Sequence, residues 1–520
     1  MRILFSAAYS AIEPLGLLHL AGLARDMGWE RKIALADGRN WSRVTQAIRD
    51  FKPDFVGFNI YTGNHLQTFG YIKWLKKEHP NIKVIVGGPH ATYFPMTAAK
   101  VADYVVMSEG FHSLQMILSG AVGEGVLPFN KSMRFPHPDR ATLYADYPEF
   151  AASPIKSIIG MTGCPYRCTY CYNSSSVSDI QVSPELAQEI GENLGMSGRL
   201  FPFNVRDIED IITEGAEIVD CWPETKIVYF QDDVHGFDTK EWLPELAHKW
   251  NDYVGLPYHA QMRWEMVAGE GGARRLDLVK GAGCTGLTLA IEAANPVIRK
   301  EVLDRATKHS VMVDGMKQIK ERGLKVRTEQ ILALPYGATS VYTPVNLEAD
   351  LEVVKLNCEL KPDMSWASTF APYAGTKLGK YADKHGYYQE PDNFDVPDTF
   401  FDRSILRFPR EWTGPSLNAD SDAWLEGDEL ELYRDQNAAL RRHFNLLCRL
   451  DDGDQIALKF LTQTDRSVEA LCEIIGGDYF DHLPFPELAR ARFKRYQESG
   501  RKDVLSTAVR HHLYEELLYK

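Results

Sequence analysis

The sequence predicts an α/β protein with two parallel sheets followed by a mainly helical region. Three observations support this fold class. Short apolar runs alternate with helical patterns over residues 1–125, the alternation resumes over residues 155–385, and residues 386–520 carry helical patterns without strands. Such alternation is typical of parallel sheets covered by helices. We therefore expect an N-terminal doubly wound parallel sheet, a central partial (β/α)6 barrel and a C-terminal mainly helical domain.

Composition narrows the functional classes that this chain fits. The 520 residues are 44% hydrophobic and 25% charged, which is ordinary for a soluble protein of about three domains. A net charge of −13 without a basic block disfavours nucleic-acid binding. No apolar run reaches the length of about 18 residues that a transmembrane helix needs. Eight cysteines are too few for a disulfide framework, so we expect a cytoplasmic protein.

Five short apolar runs predict the strands of the N-terminal sheet. These runs lie at residues 2–7, 32–36, 54–60, 82–86 and 104–107, and helical patterns lie between them. Ligands of such sheets bind beyond the carboxyl ends of the strands. The loops there contain Tyr61, Thr62 and Asn64 after the third run, Gly87, Gly88, Pro89 and His90 after the fourth, and Glu109 and Gly110 after the fifth. The two adjacent glycines indicate either a close approach to a bulky ligand or a tight turn.

Residues 126–154 predict a linker between domains. Prolines recur in this stretch, at positions 128, 136, 138, 148 and 154, and the apolar residues show no period. Proline cannot donate a backbone hydrogen bond and interrupts regular structure. We therefore expect an extended connection here.

Six further apolar runs predict the strands of the partial barrel, and the first leads into a cysteine motif. The runs lie at residues 155–161, 227–230, 258–262, 285–291, 326–332 and 364–370. Cys164, Cys168 and Cys171 follow the first run with the spacing C-x3-C-x2-C. Three thiolates are one short of the four that structural zinc or a closed [4Fe–4S] cluster takes. The spacing favours a cluster with one open iron over a zinc site with a distant fourth ligand or a loop of free thiols.

Polar side chains stand at the ends of the other barrel strands, where function in parallel barrels gathers. Asp232 and Asp233 follow the second run, Arg263 the third and Glu292 the fourth, while Gln330 lies inside the fifth. A guanidinium can hold a carboxylate with two parallel hydrogen bonds, and a carboxylate can hold an ammonium group or a ribose diol. Glu292 and Arg263 could also form structural ion pairs, and Asp232 and Asp233 could instead cap the following helix or face the substrate.

The C-terminal region carries helical patterns and no catalytic motif. Helices are predicted at residues 428–450, 468–475, 486–499 and 504–519, after a loop at residues 392–422. This domain is expected to cover the open end of the barrel, to shape a substrate pocket, or to do both.

The cysteine loop, with Tyr170 directly before the last cysteine, resembles the signature loop of the radical S-adenosylmethionine (SAM) enzymes. The resemblance implies a [4Fe–4S] cluster on the three cysteines, with SAM chelating the open iron. It also implies an electron donor such as flavodoxin or ferredoxin, because SAM is cleaved reductively to a 5′-deoxyadenosyl radical. The residues expected to contact SAM are Tyr170, Asp232, Arg263, Glu292 and Gln330.

Four stretches of the N-terminal region resemble the cobalamin-binding domain of the B12-dependent radical SAM enzymes. They read PLGLLHLAG, PDFVGFNIYTGN, VIVGGPHATYFP and ADYVVMSEGFHSL. The resemblance implies a flavodoxin-like fold of the B12-binding type, with the corrin over the strand ends. The expected cobalamin contacts are Tyr61, Thr62, Asn64, Gly87, Gly88, Pro89, His90, Glu109 and Gly110. Residues 6–13 lack the histidine of the D-x-H-x-x-G motif, so we expect neither a histidine nor the cofactor's own base as lower ligand of cobalt.

Together these features resemble the class B radical SAM methyltransferases. The resemblance implies transfer of a methyl group from SAM, via methylcobalamin, to an unactivated carbon of a small-molecule or natural-product substrate. Three alternatives remain open: a cyclase, oxidative or rearrangement enzyme with the same cofactors, a radical SAM enzyme whose N-terminal domain does not bind cobalamin, and a non-enzymatic Fe–S or zinc protein. The implied scheme requires no acid or base residue of the protein.

Overall fold

The computed structural model describes residues 1–10, 12–128, 134–180, 182–194, 199–201, 203–335, 347–394, 403–409 and 424–483, together with residues 487, 490 and 494. Two six-stranded sheets, each with all its strand pairs parallel, organise this part of the chain. Helices cover both. The predicted α/β fold class is confirmed.

The N-terminal sheet is doubly wound, with the strand order β2-β1-β3-β4-β5-β6. Its strands are β1 (Arg2–Ala8), β2 (Glu30–Ala36), β3 (Phe55–Asn59), β4 (Lys83–Gly87), β5 (Tyr104–Val106) and β6 (Gly125–Leu127). Its helices are α1 (Leu15–Asp26), α2 (Ser42–Phe51), α3 (His65–Glu78), α4 (Pro89–Tyr93), α5 (Pro95–Ala98) and α6 (Phe111–Leu118). Alternate residues of β1 enter the two apolar layers: Phe5 packs on the α1 side and Leu4 on the α2 side. Strands buried on both faces read as continuous apolar runs, which is why the sequence indicates them clearly.

The segment predicted as an extended linker is instead folded onto the N-terminal sheet. It contributes the sixth strand, β6, and two short helices, α7 (Arg140–Tyr144) and α8 (Pro148–Ala151). Leu143, Tyr147 and Phe150 are buried in the same apolar layer as α1. The prediction was wrong because helices of four or five residues are too short to show a period, and Pro148 begins α8 where a proline is tolerated. The domain boundary expected at residue 125 falls inside β6.

The second sheet has the order β14-β13-β12-β11-β10-β7, so strands adjacent along the chain are mostly adjacent in space. Its strands are β7 (Ile155–Ile158), β10 (Ile227–Phe230), β11 (Tyr258–Met262), β12 (Cys284–Glu292), β13 (Lys325–Leu332) and β14 (Met364–Thr369). A separate antiparallel pair is formed by β8 (Met161–Thr162) and β9 (Asn204–Val205). The helices are α9 (Pro184–Leu194), α10 (Ile208–Cys221), α11 (Trp242–Tyr253), α12 (Trp264–Val267), α13 (Gly269–Gly281), α14 (His309–Glu321), α15 (Leu347–Leu360) and α16 (Lys377–Lys384). This sequential order is that of a partial barrel.

The first barrel strand is shorter than predicted. The chain leaves the sheet after Ile158, and Gly160 lies so close to Asp232 that an added Cβ would be 3.2 Å from its carboxylate. The break directs the chain into β8 and the cysteine loop.

Helices complete the C-terminal part. They are α17 (Gly427–Leu447), α18 (Gly453–Leu461) and α19 (Val468–Ile475). Tyr433, Leu440 and Phe444 of α17 are buried in the core that α15 also contributes to. Asn445 accepts a hydrogen bond from the backbone N–H of Ser365 in β14, so α17 covers the last strand of the barrel. Most of the predicted loop at residues 392–422 and of the helices predicted at residues 486–499 and 504–519 lies outside the described residues.

Candidate active site between the two sheets

The three cysteines lie on one loop that begins directly after β8. Cys168 is buried with 7% exposure, and Cys164 and Cys171 are half-buried. The guanidinium of Arg199 donates to the backbone carbonyls of Cys164, Pro165 and Tyr166, which fixes the first half of the loop. The loop geometry is therefore set by protein contacts.

Asp232 holds the base of this loop. Its Oδ1 accepts hydrogen bonds from the backbone N–H groups of Gly160 at 2.5 Å and Met161 at 2.9 Å, and its Oδ2 lies 2.7 Å from Nδ1 of His235. The side chain is fully buried. The structure thus gives Asp232 a positioning role, and its contact with SAM stays a prediction. Asp233, the next residue, accepts from the N–H of Gly163 at 2.7 Å.

The cysteine loop fits an iron–sulfur cluster better than a single metal ion. In the described part of the chain, no group of three or more His, Cys, Asp or Glu side chains is arranged to hold one ion. A cluster differs because each thiolate ligates its own iron. Burial raises the pKa of the Cys164 thiol, and it raises the pKa of Cys171 to about 12. Ligation by iron deprotonates a thiol outright, so a bound cluster would hold these cysteines as thiolates despite their burial.

Two arginines face the sulfur of Cys168. Arg263 Nη1 lies 3.1 Å from Cys168 Sγ, and Arg305 Nη1 lies 3.9 Å from the same atom. The guanidinium of Arg263 also stacks 3.8 Å from the ring of Tyr166. Positive groups beside a thiolate stabilise its charge, so this pair suits an anionic cluster.

Glu292 contacts Tyr170 of the cysteine loop, as expected of two residues that contact one ligand. Tyr170 donates from its hydroxyl to Oε1 of Glu292 at 2.6 Å, and Arg305 Nη1 lies 3.3 Å from the Tyr170 oxygen. Burial raises the pKa of Glu292 and that of Tyr170. Arg305 was not predicted, because it follows an irregular turn and belongs to no motif.

The other predicted SAM residue, Gln330, is held by the protein. Its amide nitrogen donates to the backbone carbonyl of Trp366 at 2.8 Å, and its oxygen accepts from Asn357 at 3.2 Å. The side chain is 1% exposed. It links β13, β14 and α15 and so helps to pack the barrel, while its contact with SAM stays a prediction.

A cavity of about 260 Å³ lies at the carboxyl end of the N-terminal sheet. Of the predicted cobalamin contacts, Gly87, Gly88, Glu109 and Gly110 line it. The barrel side contributes Ile159, Thr162, Gly163 and Phe201. Because Gly163 directly precedes Cys164, the cavity extends from the strand ends of one sheet to the start of the cysteine loop on the other.

Gly88 is required by this geometry. Its φ of +95° is in the region that favours glycine, and an added Cβ would lie 2.0 Å from Oδ1 of Asn59. The cavity wall is otherwise mostly apolar. Residues that the sequence analysis missed here include Leu17, His19, Ser108 and Phe111. The apolar face of α1 could have indicated Leu17 and His19, but it equally fits a buried helix.

The remaining predicted cobalamin contacts do not line this cavity. His90 is fully buried, stacks 4.1 Å from the ring of His65 and lies 3.1 Å from the Thr62 hydroxyl, and burial lowers its pKa to about 3. Asn64 accepts from the N–H of Tyr61 within the turn, and Pro89 begins α4. These residues shape the loops. Tyr61 is 49% exposed at the strand ends and stays a predicted contact.

Comparison with known proteins agrees with both halves of this site. Residues 1–118 match the B12 binding domain family, and residues 158–339 match the Radical SAM superfamily. An uncharacterized methyltransferase of Pyrococcus horikoshii is 24% identical over 397 residues, which cover 71% of this chain and 78% of the relative.

The solved structures add a likeness of fold. The radical S-adenosylmethionine methyltransferase TsrM of Kitasatospora setae, with tryptophan substrate and a SAM analog bound, has a TM-score of 0.55 at 14% identity and covers 74% of this chain and 76% of its own. The same protein with cobalamin and a [4Fe–4S] cluster bound also has a TM-score of 0.55 at 14% identity, with coverage of 75% and 79%.

The fold and the site define an enzyme that joins a cluster-bearing partial barrel to a corrin-binding sheet. The chain carries a B12 binding domain and a Radical SAM domain, the combination expected of a cobalamin-dependent radical SAM enzyme, and its cofactors are a [4Fe–4S] cluster, SAM and cobalamin. This assignment confirms the family resemblance of the sequence and disfavours the alternative without cobalamin. In the described part of the chain, no helix is long and apolar enough to cross a membrane.

Proposed function

We propose that this enzyme transfers a methyl group from SAM, by way of cobalamin, to an unactivated carbon of a small-molecule substrate through a 5′-deoxyadenosyl radical. The observation that carries the proposal is the cavity bounded both by Gly88 of the N-terminal sheet and by Gly163 at the start of the cysteine loop. A corrin on this cavity and a cluster on this loop adjoin one another. Methyl transfer needs that arrangement, because one substrate atom must meet both cofactors in turn.

The chain's own residues hold and shield these groups. When bound, the cluster and SAM supply the radical chemistry, and cobalamin carries the methyl group. Cys164, Cys168 and Cys171 are the proposed cluster ligands. Arg263 and Arg305 offset the negative charge at Cys168.

Glu292 and Tyr170 are the proposed contacts to SAM. The Tyr170 proton stays on its hydroxyl and is donated to Oε1 of Glu292, which leaves Oε2 to accept from the SAM ammonium or ribose. Glu292 is 7% exposed, so a hydrogen bond made there is protected from water. The guanidinium of Arg263, 3.1 Å from Cys168 Sγ, suits the SAM carboxylate.

A small-molecule substrate is supported by the relatives. TsrM binds tryptophan in its solved structure, and we propose a substrate of comparable size here. An electron donor such as flavodoxin or ferredoxin is part of the proposal. Cys164 and Cys171 are only half-buried, so the cluster lies near a surface through which an electron can enter.

The direct test follows the label from methyl-deuterated SAM. The reconstituted chain is incubated without oxygen with a reductant and with either tryptophan or a small-molecule extract of the organism that encodes it. Mass spectrometry should show one product with a trideuteromethyl group, and 5′-deoxyadenosine should form alongside it. Labelled product without deoxyadenosine would contradict the radical route.

The same assay distinguishes the ring-forming, oxidative or rearrangement alternative. That alternative predicts deoxyadenosine together with a changed but unlabelled product. Cys164→Ala, Cys168→Ala and Cys171→Ala should each lose iron and deoxyadenosine formation while cobalamin still binds. Loss of cobalamin from all three variants would contradict the division of the cofactors between the two sheets.

A further inference from the structure

The wall of the cavity carries two polar atoms that have no hydrogen-bond partner among the described residues. They are Nε2 of His19 and Oγ of Ser108. His19 is 1% exposed, and its ring packs edge-on against Phe111 and Phe135. An unpartnered polar atom in an apolar site is unfavourable, so a group that satisfies it should enter from the cavity.

The hydrogen-bonding role of His19 follows from its anchor. Nδ1 lies 2.6 Å from the backbone carbonyl oxygen of Pro136. A carbonyl only accepts, so Nδ1 carries the proton, and Nε2 of the neutral ring is an acceptor. Burial and the nearby Arg206 guanidinium lower the pKa of His19 to about 4, which keeps the ring neutral. His19 therefore offers the cavity a fixed acceptor.

Ser108 offers the second polar atom, at the carboxyl end of β5. Its backbone is held at a φ of +57°, and its N–H donates to the Thr92 hydroxyl at 2.8 Å. The hydroxyl can rotate to donate or accept. The cavity thus suits a flat, mainly apolar group with a hydrogen-bond donor on its edge.

We propose that this cavity takes the base of the nucleotide tail of a cobamide, and that His19 selects bases that carry an N–H or O–H donor on their edge. The proposal rests on the proposed function, since it needs a corrin at these strand ends. Adenine carries an exocyclic amine and hydroxybenzimidazole a hydroxyl, whereas dimethylbenzimidazole, the base of cobalamin, carries only methyl groups on its benzene edge. Cobalamin binds, but cobamides with a donor bind more tightly.

The test measures dissociation constants of four corrinoids with the cluster-loaded chain. The corrinoids are cobinamide, which lacks the base, cobalamin, and the adeninyl and hydroxybenzimidazolyl cobamides. Equilibrium dialysis with detection of corrin absorbance needs no turnover. The wild type should bind the adeninyl and hydroxybenzimidazolyl cobamides about fivefold more tightly than cobalamin, as one added hydrogen bond of roughly 1 kcal/mol predicts.

Two substitutions of His19 separate its acceptor from its packing. His19→Asn keeps an N–H near the position of Nδ1, where it can still donate to Pro136, but removes the acceptor at Nε2. His19→Gln places an amide oxygen near the position of Nε2. In His19→Asn the preference for donor-bearing bases should disappear, so that the ratio of the dissociation constants falls to about one. In His19→Gln the preference should persist. Iron content and circular dichroism check that both variants fold.

Three outcomes would overturn parts of the account, and they are distinguishable. An equal preference in the wild type and in His19→Asn would reject selection by His19. Cobinamide binding as tightly as the complete cobamides would place the base outside the cavity. Failure of all four corrinoids to bind, with the cluster intact, would contradict the proposed function itself.

Discussion

At the scale of single residues, the placement of Glu292 is the clearest indication of a functional role. Glu292 ends β12 with a φ of +64°, at a shift of register against β13. Such a conformation is costly for a residue other than glycine and is found mainly at functional sites. The backbone turn aims the carboxylate at Tyr170 and the cysteine loop.

Glu292→Gln should weaken SAM binding without loss of the cluster. A hydrogen bond to a charged group contributes about 1.5–3 kcal/mol, so the dissociation constant for SAM should rise roughly 10- to 100-fold. Equilibrium binding of labelled SAM, with iron and sulfide analysis, checks this. Glu359→Gln, which changes an exposed carboxylate paired with His309, is the control. Equal SAM affinity in both variants would exclude the role assigned to Glu292.

Sequence reasoning at this scale succeeded where local spacing carries the chemistry. The cysteines lie on one loop, and Tyr170 and Glu292 meet although 122 positions separate them. The SAM contacts of Asp232, at a strand end, and of Gln330, inside β13, stay predictions, and both side chains also bond to protein partners that the sequence did not indicate. Which partner a buried polar group finds depends on neighbouring strands and loops, and a single sequence does not record that.

At the scale of elements, the turn from β4 into α4 forms one wall of the corrin cavity. Gly87 and Gly88 indicated either a close approach to a ligand or a tight turn; the structure shows a tight turn that lines a cavity, and the approach to a ligand stays a prediction. The folding of residues 126–154, which were predicted to be an extended linker, was not expected. The short helices of this segment bury Leu143 and Phe150, and burial of isolated apolar residues leaves no periodic signal.

Gly88→Ala should reduce cobalamin binding while the cluster remains. The new Cβ would collide with Asn59 and force a strained φ, so the turn must shift away from the cavity. We expect at least a tenfold rise in the dissociation constant for cobalamin, measured by absorbance titration. Gly123→Ala, where nothing lies within 4 Å of the added Cβ, is the matched control. Unchanged cobalamin affinity in Gly88→Ala would remove this turn from the proposed site.

At the scale of the whole molecule, a buried charge network joins the two sheets. Arg140 of α7 pairs with Glu214 of α10 at 2.6 Å and lies 3.6 Å from Glu13, which follows β1. His137 lies 2.7 Å from Glu217 and 3.5 Å from Asp210, both on α10. Breaking one member of such a buried network leaves its partner uncompensated. The network therefore fixes how the cobalamin-binding sheet meets the barrel.

This network predicts a loss of stability at alkaline pH. The carboxylates of Asp210 and Glu217 raise the pKa of His137 from 6.5 to about 9. The stabilisation is complete below pH 6.5 and is lost as the pH rises to about 9, with a size on the order of 2 kcal/mol. The melting temperature of the cofactor-loaded protein should fall over this range.

His137→Asn should flatten that part of the profile, because asparagine does not titrate. His309→Asn, at an exposed histidine that pairs with Glu359, is the control and should keep the wild-type slope. Identical slopes in the wild type and in His137→Asn would show that the network does not depend on this charge.

The fold class was predictable at the whole-molecule scale because continuous apolar runs mark parallel strands. The predicted strand at residues 227–230 coincides with β10, and that at residues 258–262 with β11. The approach of the two sheets was not predictable, because no local pattern encodes that Gly88 and Gly163 line one cavity.

The central claim is that the two cofactors share one site, and electron paramagnetic resonance tests it most directly. Cobalamin in its one-electron-reduced cobalt(II) form and the reduced cluster each carry an unpaired spin. If they adjoin, their spectra should show mutual dipolar broadening or splitting that disappears in Cys168→Ala, which keeps the corrin alone. Two unbroadened spectra that simply add, with both cofactors fully loaded, would contradict the account.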